Sequence, residues 1–225
     1  MRFFDSLIKN SEKLLAPFVK KEESVGIPWR DIEKPQVIMR RDTAFELEGL
    51  GFNLITSKNI SDGIVVVGSE LNEIKSDRKF ARVAFIQIED IEDEQESYEL
   101  IKKIEYVKYH CFPDGYMMRS TSRSHKEAVR VSKESLTEGI SFQKIGSLLI
   151  KKYKEIPAVK GVKIMFITAD DVDYNALSEI AEKNYAISET LNHVMNDLVF
   201  DCNTCNLKEI CDEVDGMKEL HFKKR

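Results

Sequence analysis

The chain has 225 residues, of which 42% are hydrophobic and 32% are charged, and it carries a formal net charge of −5. This composition excludes a disordered chain and predicts a globular protein large enough to bury a core. The negative charge argues against nucleic acid or an anionic membrane as a partner, and no apolar run approaches the roughly 20 residues that a membrane span needs.

The N-terminal segment, residues 1–35, is predicted to combine a helix with a linker. Apolar residues recur at helical spacing over residues 3–19, which indicates an amphipathic helix interrupted near Pro17. We expect its apolar stripe to bind a second copy of the chain or a larger subunit. A linker over residues 20–35 follows. Asp5 stands where a signal peptide would have its apolar centre, so we expect a cytoplasmic protein.

Strand-like and helix-like patterns fill the first half of the next segment, residues 36–198. Helical spacing predicts a helix over residues 93–109. Before it, short apolar runs bounded by Gly, Asn, Asp and Ser predict strands over residues 37–39, 52–55, 64–67 and 83–86.

The second half of this segment also contains both predicted strands and predicted helices. Residues 116–118 and 128–131 flank a polar connection and are predicted to form a hairpin. Ser141 is a predicted N-cap of a helix, and residues 162–167 alternate as a half-buried strand. A helix follows from Asp170 or Asp171 to about Leu191, with acids at its positive end. The predicted fold class of residues 36–198 is therefore α+β, with a mixed or mainly antiparallel sheet and packed helices.

The C-terminal tail, residues 199–225, carries the strongest chemical signal. Cys202 and Cys205 form a Cys-x2-Cys pair and Cys211 follows, so three thiolates can converge on one metal ion or cluster. Iron–sulfur clusters are held mainly by thiolates, whereas a structural zinc site needs four ligands. Reduced cysteines packed as small apolar groups are the alternative. The candidates for a fourth ligand are Cys111, His193, His221 and an exogenous group.

Segments in the middle of the chain resemble acetyl-CoA synthase, the β subunit of the carbon monoxide dehydrogenase/acetyl-CoA synthase complex. Residues 43–47, Thr-Ala-Phe-Glu-Leu, resemble the Pro-Ala-Phe-Glu segment of that family, and residues 60–68 resemble its Glu-Asp-Gly…Val-Val-Gly segment. Residues 130–149 resemble its Arg-Ile-Ser-Lys…Gly…His-Ile-Gly-x-x-Leu run. The likeness keeps the same order over about residues 40–205, so it covers the family's middle domain and the start of its metal-bearing domain.

The resemblance implies a [4Fe–4S] cluster in the tail. In the family the first cysteine pair opens a four-cysteine set for such a cluster, which carries over to Cys202 and Cys205, with Cys211 as a third ligand at a shorter spacing. The fourth cysteine and the downstream Cys-Gly-Cys that holds nickel in the family are missing here. We therefore expect an acetyl-CoA-synthase-like iron–sulfur protein of anaerobic metabolism without nickel, whose acyltransferase activity is incomplete. The sequence indicates neither its catalytic residues nor its redox partner.

The resemblance also implies a coenzyme A site. The family's middle domain binds coenzyme A through basic residues and a tryptophan, and the predicted hairpin carries a row of cations, Arg119, Arg123, Lys126 and Arg130. Ala128 stands where the tryptophan aligns. A solvated basic edge strand is the alternative. The alternative function is a non-enzymatic module that binds a partner or coenzyme A and uses its metal only structurally.

Two further clusters have simpler interpretations. Asp170, Asp171 and Asp173 could hold a cation, but acids at a helix start explain them. His110 and Cys111 could form a dyad, but adjacent residues of an extended chain point to opposite faces, which favours packing.

Overall fold

The computed structural model describes residues 3–23, 43–68, 78–109, 111, 116–120, 126–134, 141–196, 207–214, 217 and 220. Seven strands are found in this part of the chain. They are β1 (Val19–Glu23), β2 (Thr43–Thr56), β3 (Gly63–Val67), β4 (Arg78–Ile88), β5 (Tyr116–Ser120), β6 (Lys126–Ser132) and β7 (Val159–Ile167).

Five α-helices are described as well. They are α1 (Asp5–Leu15), α2 (Glu94–Val107), α3 (Phe142–Lys154), α4 (Tyr174–Met195) and α5 (Lys208–Glu213). No helix in the described part is long and apolar enough to cross a membrane.

The strands form one mixed sheet in the order β1-β3-β7-β4-β2-β6-β5. The pairs β2/β4 and β3/β7 are parallel, and the other four neighbouring pairs are antiparallel. Every residue of β3 is buried, as expected for a strand covered on both faces. This confirms the predicted α+β class and the mixed, mainly antiparallel sheet.

Helices cover both faces of the sheet. Helix α3 packs on one face, where a Cβ at Gly146 would lie 3.0 Å from side-chain atoms of Ile64 and Phe166. Side chains alternate along a strand, so the opposite face carries Thr56, whose hydroxyl donates to Asp5 of α1 at 2.7 Å. Helices α1 and α4 contact each other and β2 on that face, and α2 contacts both α3 and α4.

Side-chain caps determine where two of the helices begin. The Asp93 carboxylate accepts a hydrogen bond from the Glu96 amide at 2.7 Å and caps α2. Ser141 Oγ accepts from the Lys144 amide at 3.3 Å and caps α3, as predicted. The predicted strands over residues 52–55, 64–67, 83–86 and 162–167 and the hairpin are confirmed, and residues 37–39 lie outside the described part of the chain.

The N-terminal segment differs from its predicted arrangement. The predicted helix is present and ends in a 3-10 turn, Ala16–Phe18, at Pro17. The predicted linker begins instead as β1, which pairs with β3 and forms one edge of the sheet. The apolar residues of α1 are buried in the core of the same chain, among them Leu7 at 4% and Leu15 at 0% exposure. Their stripe is therefore already covered, and binding of a partner through α1 stays a prediction.

Candidate functional site

Cys211 is the described member of the predicted cluster-binding set, and it lies on α5. Its side chain is half-buried and packs against the core beside Ile210 and Val214. Lys183 of α4 donates to Glu213 at 3.0 Å, and α5 contacts α4. Helix α5, which carries Cys211, therefore packs beside α4, with one ion pair near the middle of that helix.

The other two predicted ligands, Cys202 and Cys205, lie outside the described residues. Within the described part, no three His, Cys, Asp or Glu side chains are close enough to hold a metal ion. The geometry of the cluster site consequently rests on one placed thiol, and the three-cysteine set stays a prediction.

The candidates for a fourth ligand have different surroundings. Cys111 is 1% exposed, and burial raises the pKa of its thiol to about 12, although the positive charges of Lys152 and Arg82 act in the opposite direction. A thiol that keeps its proton at neutral pH is inert, which agrees with the packing interpretation of Cys111. His193 lies in the last turn of α4, the helix that contacts α5. His221 is not among the described residues.

A groove lies where the sheet meets the start of α4. Its volume is about 830 Å³, within the roughly 300–1,000 Å³ of sites that bind small molecules and cofactors. Two of the predicted coenzyme A-binding residues, Lys126 and Arg130, line it, together with Lys79, Glu48 and residues from the first turns of α4. We call this the basic groove.

Strand alternation explains why these cations share a wall. Along β6, Lys126 is exposed and Arg130 half-buried, while Glu127 and Val129 between them are buried. The register of β2 with β6 places Glu46 directly opposite Arg130, and Arg130 Nε donates to Glu46 Oε1 at 3.0 Å. One basic side chain of the groove is therefore held by an acid in this structure.

The first turns of α4 form part of the basic groove, with Tyr174, Asn175 and Ser178 in its lining. Asp173 is the N-cap of α4 and accepts hydrogen bonds from the amides of Asn175 and Ala176, each at 3.0 Å. An acid starts the helix as predicted, but it is Asp173, and the predicted start at Asp170 or Asp171 was about three residues too early. The Asp173 carboxylate offsets the positive end of this 22-residue helix. The groove is lined by three cations, Lys79, Lys126 and Arg130, and by three acids, Glu46, Glu48 and Glu127, and its cations are the groups that attract phosphate.

The other two predicted coenzyme A-binding residues are only partly placed. Arg119 belongs to β5, and its backbone pairs with Ala128 of β6. Arg123 lies outside the described residues. The predicted hairpin is thus present, and one of its two strands lines the groove.

A buried polar cluster behind the basic groove was missed by the sequence analysis. Arg82 of β4 and Glu127 of β6 are both fully buried, and Arg82 Nη2 donates to Glu127 Oε2 at 2.8 Å. Burial by itself would lower the pKa of Arg82, but the facing Glu127 carboxylate, with Tyr153 and Glu105, outweighs burial and raises it. The Arg82 guanidinium therefore keeps its positive charge at neutral pH.

Asn53 extends this cluster on β2. Its Oδ1 accepts from Arg82 Nη1 at 3.1 Å and from the Tyr153 hydroxyl at 2.9 Å, and its Nδ2 donates to Glu105 Oε1 at 2.9 Å. Burial raises the pKa of Tyr153, so the hydroxyl keeps the proton that it donates. Each of these buried groups has partners, as buried polar atoms require.

Residues 34–172 match a known protein family, described as the CO dehydrogenase/acetyl-CoA synthase complex beta subunit. The chain belongs to this family. The comparison confirms the resemblance found in the sequence. A search of curated proteins gives no match.

The matched region contains most of the basic groove but not the cysteine tail. The cations of the basic groove and all five residues of the buried cluster lie within the family region. The first turns of α4 and the three cysteines of the tail lie beyond residue 172. The family match therefore includes the strands that form the groove walls, whereas it does not include the cysteines of the predicted cluster site.

Proposed function

We propose that this chain is an acetyl-CoA-synthase-family iron–sulfur protein that binds a [4Fe–4S] cluster through Cys202, Cys205 and Cys211. The observation that carries the proposal is the order of parts in the chain. The family region is followed by α4 and then by a Cys-x2-Cys pair and a third cysteine on α5. The pair lies between two segments that contact each other, α4 and α5.

The donor set fits such a cluster in its chemistry. Three thiols within ten residues supply the ligand type that iron–sulfur clusters prefer. Cys211 is half-buried against apolar neighbours, a setting that partly shields a bound cluster from water. When bound, the cluster would supply an electron-transfer or Lewis-acid centre.

Metal analysis after anaerobic purification tests this proposal. We expect iron and acid-labile sulfide in equal amounts and no nickel, because the 225 residues contain no Cys-Gly-Cys. Replacing Cys202, Cys205 and Cys211 together by serine should abolish iron binding. Cys111→Ser is the matched control and should retain it, since that thiol is buried and protonated. A colourless protein with one zinc, or unchanged iron in the triple variant, would contradict the proposal.

A second function is favoured by the basic groove, namely binding of coenzyme A. Lys79, Lys126 and Arg130 lie on one concave wall, and the first turns of α4 close it. Phosphate groups bind where several cationic side chains converge. Ala128, which lines the same wall, stands where the family's tryptophan aligns and offers no ring for stacking, so binding would depend on the cations.

Titration calorimetry with coenzyme A tests the groove. Lys126→Gln and Arg130→Gln should each weaken binding about tenfold, the effect of losing one charge-assisted hydrogen bond. Lys160→Gln is the matched control, because Lys160 is an exposed strand lysine that pairs with Glu89 and does not line the groove. Equal affinities for all three variants would show that coenzyme A, if it binds, binds elsewhere.

A further inference from the structure

The Arg82–Glu127 ion pair joins two strands that are not neighbours in the sheet. In the sheet order, β2 lies between β4, which carries Arg82, and β6, which carries Glu127. The guanidinium therefore reaches across one strand to a carboxylate on the strand beyond it. Three hydrogen bonds make the contact, from Nε to both carboxylate oxygens at 2.9 and 3.0 Å and from Nη2 at 2.8 Å.

Gly51 of β2 opens the path for this contact. It is the register partner of Arg82, and a Cβ added to it would lie 2.0 Å from Glu127 Oε2 and 2.6 Å from Glu127 Cδ. A side chain at this position would occupy the space of the carboxylate. The glycine therefore lets Glu127 lie over the middle strand and meet the arginine.

An ion pair of this kind is a poor source of stability. Removing two charges from water costs several kcal/mol for each ion, and apolar replacements of similar volume are often as stable or more stable. What such a pair does supply is a fixed geometry, because a guanidinium and a carboxylate bind in one planar arrangement. We therefore expect the pair to act on the element whose position it fixes.

That element is β6, the strand that carries the cations of the basic groove. Glu127 lies on the buried face between Lys126 and Ala128, so fixing its carboxylate also fixes the neighbouring residues on the groove face. Within the described sheet, β6 is bonded to β2 and to the edge strand β5. The ion pair adds a direct connection to β4, and Asn53 and Tyr153 extend it to β2 and α3.

We propose that Arg82 and Glu127 are positioning residues that hold β6 so that Lys126 and Arg130 meet the ligand of the basic groove. This inference rests on the proposed coenzyme A site. It predicts that the affinity for coenzyme A depends on two residues whose side chains are fully buried. It also predicts that this dependence is separable from stability.

The test is the double variant Arg82→Met/Glu127→Leu, with coenzyme A as the probe. Urea unfolding should give a midpoint close to wild type, because similar apolar volume replaces the pair. Calorimetry should show affinity at least about tenfold weaker, the loss of one charge-assisted contact by a displaced cation. The control is Met165→Leu, a substitution in the buried core on β7 away from the groove, which should keep the wild-type affinity. A folded double variant with wild-type affinity would overturn the proposal.

Hydrogen exchange compared between wild type and the double variant tests the positioning role without a ligand. If the pair fixes β6, the amides of residues 127–131 should exchange faster in the double variant, whereas those of residues 163–167 of β7 should keep their wild-type rates. Unchanged exchange of β6 in a folded double variant would contradict a positioning role. If wild-type protein does not bind coenzyme A, the groove proposal fails by itself, and the exchange rates still show whether the pair fixes β6.

Discussion

Replacement of Gly51 by alanine is the sharpest test of the buried cluster. The new Cβ would lie 2.0 Å from Glu127 Oε2 and 2.9 Å from Glu127 Cβ, so the carboxylate must move away from Arg82. Breaking a buried ion pair costs about 3–5 kcal/mol, and alanine returns about 0.5–1 kcal/mol of the conformational entropy that glycine loses. We therefore expect the free energy of unfolding to fall by about 2–4 kcal/mol.

Gly146→Ala is the matched control for this prediction. Its Cβ would lie 3.0 Å from Ile64 Cδ1 and from Phe166 Cε2, a tight contact with side-chain ends rather than with a paired charge. The helix gains about 0.8–1 kcal/mol from the exchange of glycine for alanine, so the net change should stay within about 1 kcal/mol.

Urea unfolding followed by circular dichroism measures both variants, and the slope with urea should stay unchanged if only stability is affected. A Gly51→Ala protein within about 1 kcal/mol of wild type would refute the reasoning, since it would mean that the Glu127 carboxylate can leave Arg82 at little cost.

Three further predictions concern titration, reactivity and the groove. Burial raises the pKa of the Cys111 thiol to about 12, so the folded chain keeps a proton that the unfolded chain releases near pH 9. Below about pH 9 this thiol should not change the free energy of unfolding. Between about pH 9 and 12 that free energy should fall, and it should fall less in the Cys111→Ala variant. In metal-free protein at pH 8, iodoacetamide should label Cys211, and label Cys111 only after urea is added, as peptide mass spectrometry can check. Glu46→Gln should strengthen coenzyme A binding about two- to fivefold, because Arg130 is released from a partly exposed ion pair, and Glu48→Gln should do so less.

The sequence allowed the repeating elements of this fold to be predicted because their signals are local. Ser141 satisfies an amide three residues ahead, and the apolar alternation over residues 162–167 needs no knowledge of the neighbouring strands. The pairing of β5 with β6 also follows from chain proximity. These predictions are confirmed because the decisive interactions lie within a few residues along the chain.

The length of β2 could not be predicted in the same way. Glu46 and Glu48 interrupt the apolar pattern, and Gly49 and Gly51 are poor strand formers, so only residues 52–55 were predicted as a strand. In the folded chain the carboxylate of Glu46 pairs with a cation on β6, and Gly51 leaves room for a buried carboxylate. The residues that weaken the local signal are those that serve contacts with distant segments.

The buried cluster was missed for a related reason. Arg82 stands at the start of an apolar run, where a charged residue ordinarily marks the exposed end of a strand. Its partner Glu127 is 45 positions away and is flanked by a lysine. No periodicity in either segment indicates that the two side chains meet, and only the sheet order brings them together.

The contact between α1 and α4 has a consequence for how the chain acquires its fold during synthesis. Helix α1 is synthesised well before α4, the helix that packs beside it and that is completed only at residue 195. Until then one face of the nascent sheet is without a large part of its cover. Such late closure favours slow folding and exposes apolar surface to chaperones.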